Sequence, residues 1–119
     1  MNTTAKGQAG ENHAADFLTA KGYRILARNY RVRGGEVDIV AQHQKTLVFV
    51  EVKARAYKAF GGPLGAVTPA KQRKIALAAT QFLKANALKF DSIRFDVVCV
   101  LPGETTHIEG AFSPVRTTY

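Results

Sequence analysis

At 119 residues with 46% apolar composition, the chain is long enough to bury one core and too short for two ordinary domains. Seventeen Lys and Arg against nine Asp and Glu leave a charge of +8, which points to a polyanionic partner, DNA or RNA. No run approaches the roughly 18 apolar residues of a membrane span, residues 1–15 hold no apolar stretch like that of a secretory signal, and the single Cys99 builds no internal disulfide, so a cytoplasmic protein is expected.

In chain order, Thr4 to Lys21 reads as a helix with Ala14, Phe17 and Leu18 on one stripe and Gly22 placed to stop it. Tyr23 to Arg31 reads as a strand in which Tyr23, Ile25, Ala27 and Asn29 alternate with Arg24, Leu26, Arg28 and Tyr30. After Gly34 and Gly35, Glu36 to Gln42 and Thr46 to Ala54 are expected to form an antiparallel hairpin, the second arm being β-branched and aromatic. Residues 56–67, with Gly61, Gly62, Pro63 and Gly65, read as a loop. Thr68 and Pro69 then supply an N-cap and a first helical residue for a helix to about Asn86, with Ile75, Ala79, Phe82 and Leu83 facing the core. Ile93 to Leu101 is a fourth strand, and Thr106 to Phe112 a candidate fifth. The expected architecture is an α/β fold with a mixed sheet flanked by helices, in the order α-β-β-β-α-β with a possible final strand. Residues 1–112 are expected to form one domain and residues 113–119 a tail.

The informative residues are those that cost most to bury. Glu51 and Lys53 interrupt the most apolar strand, Leu47-Val48-Phe49-Val50-Glu51-Val52-Lys53, and by alternation share a face with Leu47 and Phe49. A symmetric hairpin turning between Gln44 and Lys45 sets Asp38 opposite Glu51, with Cβ atoms about 5 Å apart. Two carboxylates at that distance repel unless a cation lies between them. Oxygen-only ligands favour Mg²⁺ or Mn²⁺, and His13, His43 and His107 show no zinc spacing. The competing reading is a structural ion cluster of Asp38, Glu51 and Lys53, and a register slip of one residue would turn Asp38 away.

The stretch Gly35-Glu36-Val37-Asp38 followed by Glu51-Val52-Lys53 resembles the PD-(D/E)xK signature of the restriction-endonuclease-like superfamily, and the element order resembles that superfamily's core. More narrowly, Gly10-Glu11, Asn29-Tyr30-Arg31, Gly34 to Asp38, Leu47 to Arg55, Lys71-Gln72-Arg73 and Arg94 to Val98 together resemble the YraN family over about residues 7–112. Val37 stands where the literal signature has proline. The resemblance implies a nuclease in which Asp38 and Glu51 bind the metal, Lys53 contacts the scissile phosphate or the attacking water, and Glu11 faces the same site as an additional metal-binding acid that completes the metal's outer shell or orients water.

Around this constellation, Gln72 is expected to point toward the sheet, either to hold water or phosphate or to satisfy a buried polar group. Arg24, Arg28, Arg31, Arg33, Arg55, Lys58, Lys71, Arg73 and Lys74 would flank the acidic pocket, with Arg31, Arg33, Arg55, Lys71 and Arg73 as the expected phosphate contacts. The Gly61 to Gly65 loop is expected to be a connector rather than a phosphate cradle, Cys99 a core residue, and Arg94 and Asp96 a structural pair. Glu36 alternates to the side of Asp38. Three functions compete: a metal-dependent phosphodiester hydrolase, an adaptor that binds nucleic acid without cutting it, and a structural protein.

Overall fold

A computed structural model describes residues 3–54 and 67–114, with side chains from Gln8 onward. Helix α1 (Thr3–Ala20) is followed by strands β1 (Arg24–Val32), β2 (Gly35–His43) and β3 (Thr46–Lys53), helix α2 (Pro69–Ala85), and strands β4 (Ser92–Leu101) and β5 (Glu104–Ile108). The five strands form one sheet in sequence order. All neighbours are antiparallel except β3 and β4, which run parallel across the connection that contains α2.

Local chemistry sets the ends of the elements. Gly22, at φ 93°, stops α1: its N–H reaches the Thr19 carbonyl at 3.0 Å, and the Tyr23 N–H reaches Leu18 at 3.0 Å, a paired closure that needs a left-handed residue. Thr68 caps α2 by accepting the Lys71 N–H at 3.2 Å, and Pro69 opens the helix without losing a donor. The expected strand from Thr106 to Phe112 is shifted: β5 starts at Glu104, because Pro102 and Gly103 make a tight turn that pairs Leu101 with Glu104.

The two helices cover opposite faces of the sheet. Leu47, Phe49, Val97 and Cys99 pack with Ile75, Ala78, Ala79 and Phe82 of α2, while Ile39, Ala41, Val48, Val50 and Val98 pack with Ala14 and Leu18 of α1. Every second residue of β3 thus meets a different helix, which is why the strand is apolar on both sides. Cys99 is buried in the α2-side core, as expected.

Strand β1 departs from the expected alternation. Its pairing with β2 shifts between Ile25 and Ala27, and Asn29 takes a left-handed conformation at φ 51°. Arg28 consequently reaches Glu11 of α1 while Tyr30 packs edge-on against Phe82 of α2, although strict alternation would put both on one face.

The β1–β2 turn lies against the backbone of α2. A Cβ on Gly35 would come 2.7 Å from the Lys74 carbonyl oxygen and 3.0 Å from the Ala78 nitrogen. Gly35→Ala should therefore destabilise the protein by about 2 kcal/mol through overpacking. Gly10→Ala, in open space on α1, should stabilise it by roughly 0.5–1 kcal/mol through helix propensity. Urea unfolding of the two variants checks the opposite signs.

Candidate functional site

The site begins where β2 and β3 part. Their pairing runs from His43 with Thr46 to Ile39 with Val50, the register a two-residue turn at Gln44 and Lys45 dictates. One step further the main chains separate, and the Asp38 carboxylate takes over the ladder by accepting the Val52 N–H through Oδ2 at 2.8 Å. Asp38 is therefore fixed between the strands, level with Glu51.

Helix α1 brings the third acid. Glu11 is only 6% exposed. Its Oε1 accepts hydrogen bonds from Arg28 at 2.9 Å and from the Asn29 side-chain amide at 2.7 Å. Glu11, Asn29, Arg31 and Asp38 line one concavity of about 240 Å³, closed by Gln8, Gly10, Val52 and Ala54. Asn29 is the residue that sequence reasoning passed over. It stands in a quoted motif, but only its left-handed backbone aims its amide at Glu11, and a strand pattern gives no sign of that.

Glu51 has a different environment. Its residue is 4% exposed, on the face covered by α2. Oε2 lies 3.3 Å from Lys53 Nζ and 3.9 Å from Lys71 Nζ, whereas Oε1 is buried without a hydrogen-bond partner among the described residues. Burial, and after it the charge of Asp38, pushes the Glu51 carboxyl up to about 7 despite the two ammonium groups. Lys71, at the first turn of α2, donates to Glu36 Oε2 at 2.8 Å. That hydrogen bond is the main reason the Glu36 carboxyl is held below its usual range. Burial works against the Lys71 ammonium, but Glu36 and Glu51 outweigh it and raise its pKa.

Asp96 shows what a fully compensated buried acid looks like in the same sheet. It is 0% exposed, yet both oxygens are bound: Oδ1 accepts from Arg94 Nε at 2.8 Å and the Gly110 N–H at 2.9 Å, and Oδ2 from Arg94 at 2.9 Å and His107 Nε2 at 2.7 Å. Burial raises its pKa, but these donors outweigh it and the group is held below the ordinary carboxylate range. Arg94 and Asp96 are the structural pair expected of them.

The remaining predicted residues divide in two. Gln72 donates its amide to the Val67 carbonyl at 2.9 Å, on the approach to α2. Arg31 and Arg33 stand exposed on and beside the β1–β2 turn, Arg73 and Lys74 are exposed on α2, and Arg24 and Arg28 are exposed on β1. Arg31 lies 3.7 Å from Glu36 with its side chain 73% exposed. Lys71, by contrast, is turned inward. Arg55, Lys58, the Gly61 to Gly65 loop and residues 115–119 of the expected tail lie outside the described residues.

Among the described residues no three His, Cys, Asp or Glu side chains converge as a ready metal cage. Asp38 and Glu51 nevertheless fit a hard divalent cation. Glu51 is buried with an orphan oxygen and feels the charge of Asp38, and a Mg²⁺-like ion takes one or two carboxylates and fills its shell with water and phosphate. A second, larger concavity of about 950 Å³ lies between α2 and β4, lined by Leu77, Leu83, Ile93 and Phe95, and contains none of these acids.

The model of the uncharacterised protein family UPF0102 matches residues 10–100, which include Glu11, Asp38, Glu51, Lys53 and Lys71. The chain belongs to UPF0102, the YraN family. A UPF0102 protein of Symbiobacterium thermophilum is 54% identical over 97 residues, covering 82% of both chains. One from Chlorobium phaeobacteroides is 48% identical, covering 85% of this chain and 80% of its own. One from a Sulfurihydrogenibium species is 41% identical, covering 95% of this chain and 98% of its own. Membership in UPF0102 is consistent with the nuclease-like superfamily that the motifs resemble.

Glu51 gives this UPF0102 chain a specific pH signature. Its pKa rises from 4.5 to about 7 on folding, so its contribution to stability is complete below about 4.5 and is lost as pH climbs through about 7. Wild type should lose about 2 kcal/mol relative to Glu51→Gln between pH 5 and 8. Chemical denaturation across that range checks it, and a constant difference would rule out the raised pKa.

Proposed function

We propose that the chain is a cytoplasmic, Mg²⁺- or Mn²⁺-dependent phosphodiester hydrolase acting on DNA or RNA. The observation that carries this reading is the Glu51 carboxylate, buried with one unpartnered oxygen beside Asp38 and Lys53. A fold stabilised only by ion pairs would complete that group, as it completes Asp96.

The substrate sets the requirements. A phosphodiester is anionic and repels hydroxide, so cleavage needs positive charge at the non-bridging oxygens and a deprotonated water held in line. Asp38 and Glu51 would hold a divalent cation, which would supply positive charge to the phosphate and acidify water. The chain supplies the geometry. Asp38 is locked by the Val52 N–H, so its free oxygen has a fixed direction. Glu51, whose carboxyl is pushed up to about 7, would release its proton to hold the cation. Lys53 stands on the same strand face, where its ammonium meets a phosphate oxygen or the attacking water. Glu11, with Oε1 held by Arg28 and Asn29, orients water from the wall of the concavity it shares with Asp38. Gln72, anchored on the Val67 carbonyl, fixes the entry to α2 beside the site. Arg31, Arg33 and Arg73 hold the flanking phosphates, which sets affinity rather than sequence preference.

The second reading is an adaptor that keeps the fold and basic surface without cutting. In its favour, no three-acid cage forms among the described residues. Binding of nucleic acid without cleavage, across metals and substrates, would support it.

A Mn²⁺ titration of melting temperature in EDTA-stripped protein separates the two. Wild type should show saturable stabilisation of several degrees at high excess over Kd. Asp38→Asn should lose that response and, freed of the repulsion with Glu51, should start about 1 kcal/mol more stable than metal-free wild type. Nuclease activity should then disappear in Glu51→Gln and Lys53→Ala, and full activity in both would sink the hydrolase reading.

A further inference from the structure

Lys71 sits in the first turn of α2, where exposed lysines ordinarily contact solvent, yet its ammonium is directed into the site. It donates to Glu36 Oε2 at 2.8 Å and lies 3.9 Å from Glu51 Oε2, with its side chain 25% exposed. Lys53 already stands 3.3 Å from the same Glu51 oxygen. Two ammonium groups therefore crowd one carboxylate oxygen while the other oxygen is left bare. Glu36 is not buried with them: its side chain is 42% exposed and is shared with Arg31 at 3.7 Å. It acts as a tether that draws Lys71 toward the solvent side of the site.

We propose that Lys71 is a built-in counter-cation of the Asp38–Glu51 site: it competes with a divalent cation for Glu51, and Glu36 sets how strongly it competes by holding the ammonium back. This rests on the metal-binding reading above. Lys71 is then a positioning residue, not one of the outer phosphate contacts with which its place in a basic helix start would group it. The arrangement has a purpose for a phosphodiester site. Without a divalent cation, the lysine offsets part of the repulsion between Glu51 and Asp38. With Glu51 engaged by a cation, the ammonium would stay on Glu36, available to phosphate charge.

The competition makes the two partners act with opposite sign. Removing the Lys71 charge removes a like charge next to the cation, and a unit charge at such a distance in a partly buried site changes affinity by about tenfold. Removing the Glu36 charge releases Lys71 onto Glu51 and weakens the cation. If Glu36 works through Lys71, it has no effect once Lys71 is neutral.

The test is calorimetric titration of Mn²⁺ into the full chain at fixed ionic strength, in wild type, Lys71→Met, Glu36→Gln and the double variant, with the fold checked by melting temperature. Lys71→Gln stands in if the methionine variant folds poorly. The expected result is about tenfold tighter binding in Lys71→Met, several-fold weaker binding in Glu36→Gln, and a double variant within about twofold of Lys71→Met. Unchanged or weaker Mn²⁺ binding in Lys71→Met overturns the proposal while leaving the metal site intact. A double variant as weak as Glu36→Gln overturns the tether. Absence of Mn²⁺ binding from both wild type and Lys71→Met overturns the metal site itself, and this inference with it.

Discussion

Everything at the site depends on a carboxylate held where two strands separate. Glu51 rides on the central strand of the sheet, one step past the last β2 pair at Val50 and still paired to Val97 of β4, with its residue only 4% exposed. Desolvation alone would make it a neutral acid. What keeps it near the boundary of ionisation is the pull of two lysines, each anchored on a different element, against burial and the charge of Asp38. Small movements of charge at this point change protonation, and the strand, the fork and the helix start all serve to hold the balance in place.

Asp96 is the contrasting acid of the same sheet. Both acids lie in the interior of one sheet, paired to adjacent strands, and the register puts Asp96 beside Val50, next to Glu51 in the chain. One acid collects four hydrogen bonds from Arg94, His107 and a main-chain N–H, and is depressed; the other has no donor at one oxygen and is raised. The first is what folding alone selects. The second costs stability, a pattern that clusters at functional sites.

The parts legible in the sequence were those governed by short-range rules. The two-residue turn fixed the β2–β3 register, so the relation of Asp38 to Glu51 followed from counting residues. Charges inside the Leu47 to Lys53 run marked the site because burying them is expensive. The illegible parts depend on contacts between distant residues or on single backbone angles. Asn29 changes the face of β1 through one left-handed residue, which no periodicity reveals. The Glu36–Lys71 bond joins residues 35 positions apart, and its lysine looked like one more surface charge. The partners of Asp96 come from β5 and the turn after it, and the start of β5 was itself misplaced because Gly103 makes the turn tighter than a hydrophobic pattern can show.

The outermost position of β1 has a consequence of its own. With β2 on one side and nothing paired on the other among the described residues, its nine residues present an open row of backbone donors and acceptors, the surface on which sheets recruit foreign strands. Arg24, Arg28 and Arg31 stand along that rim, and the irregularity between Ile25 and Ala27 together with the twist at Asn29 spoils its flatness. The same features that shape the concavity thus guard the protein against polymerising edge to edge. Its arginines thereby serve solubility in addition to the proposed role in holding phosphates.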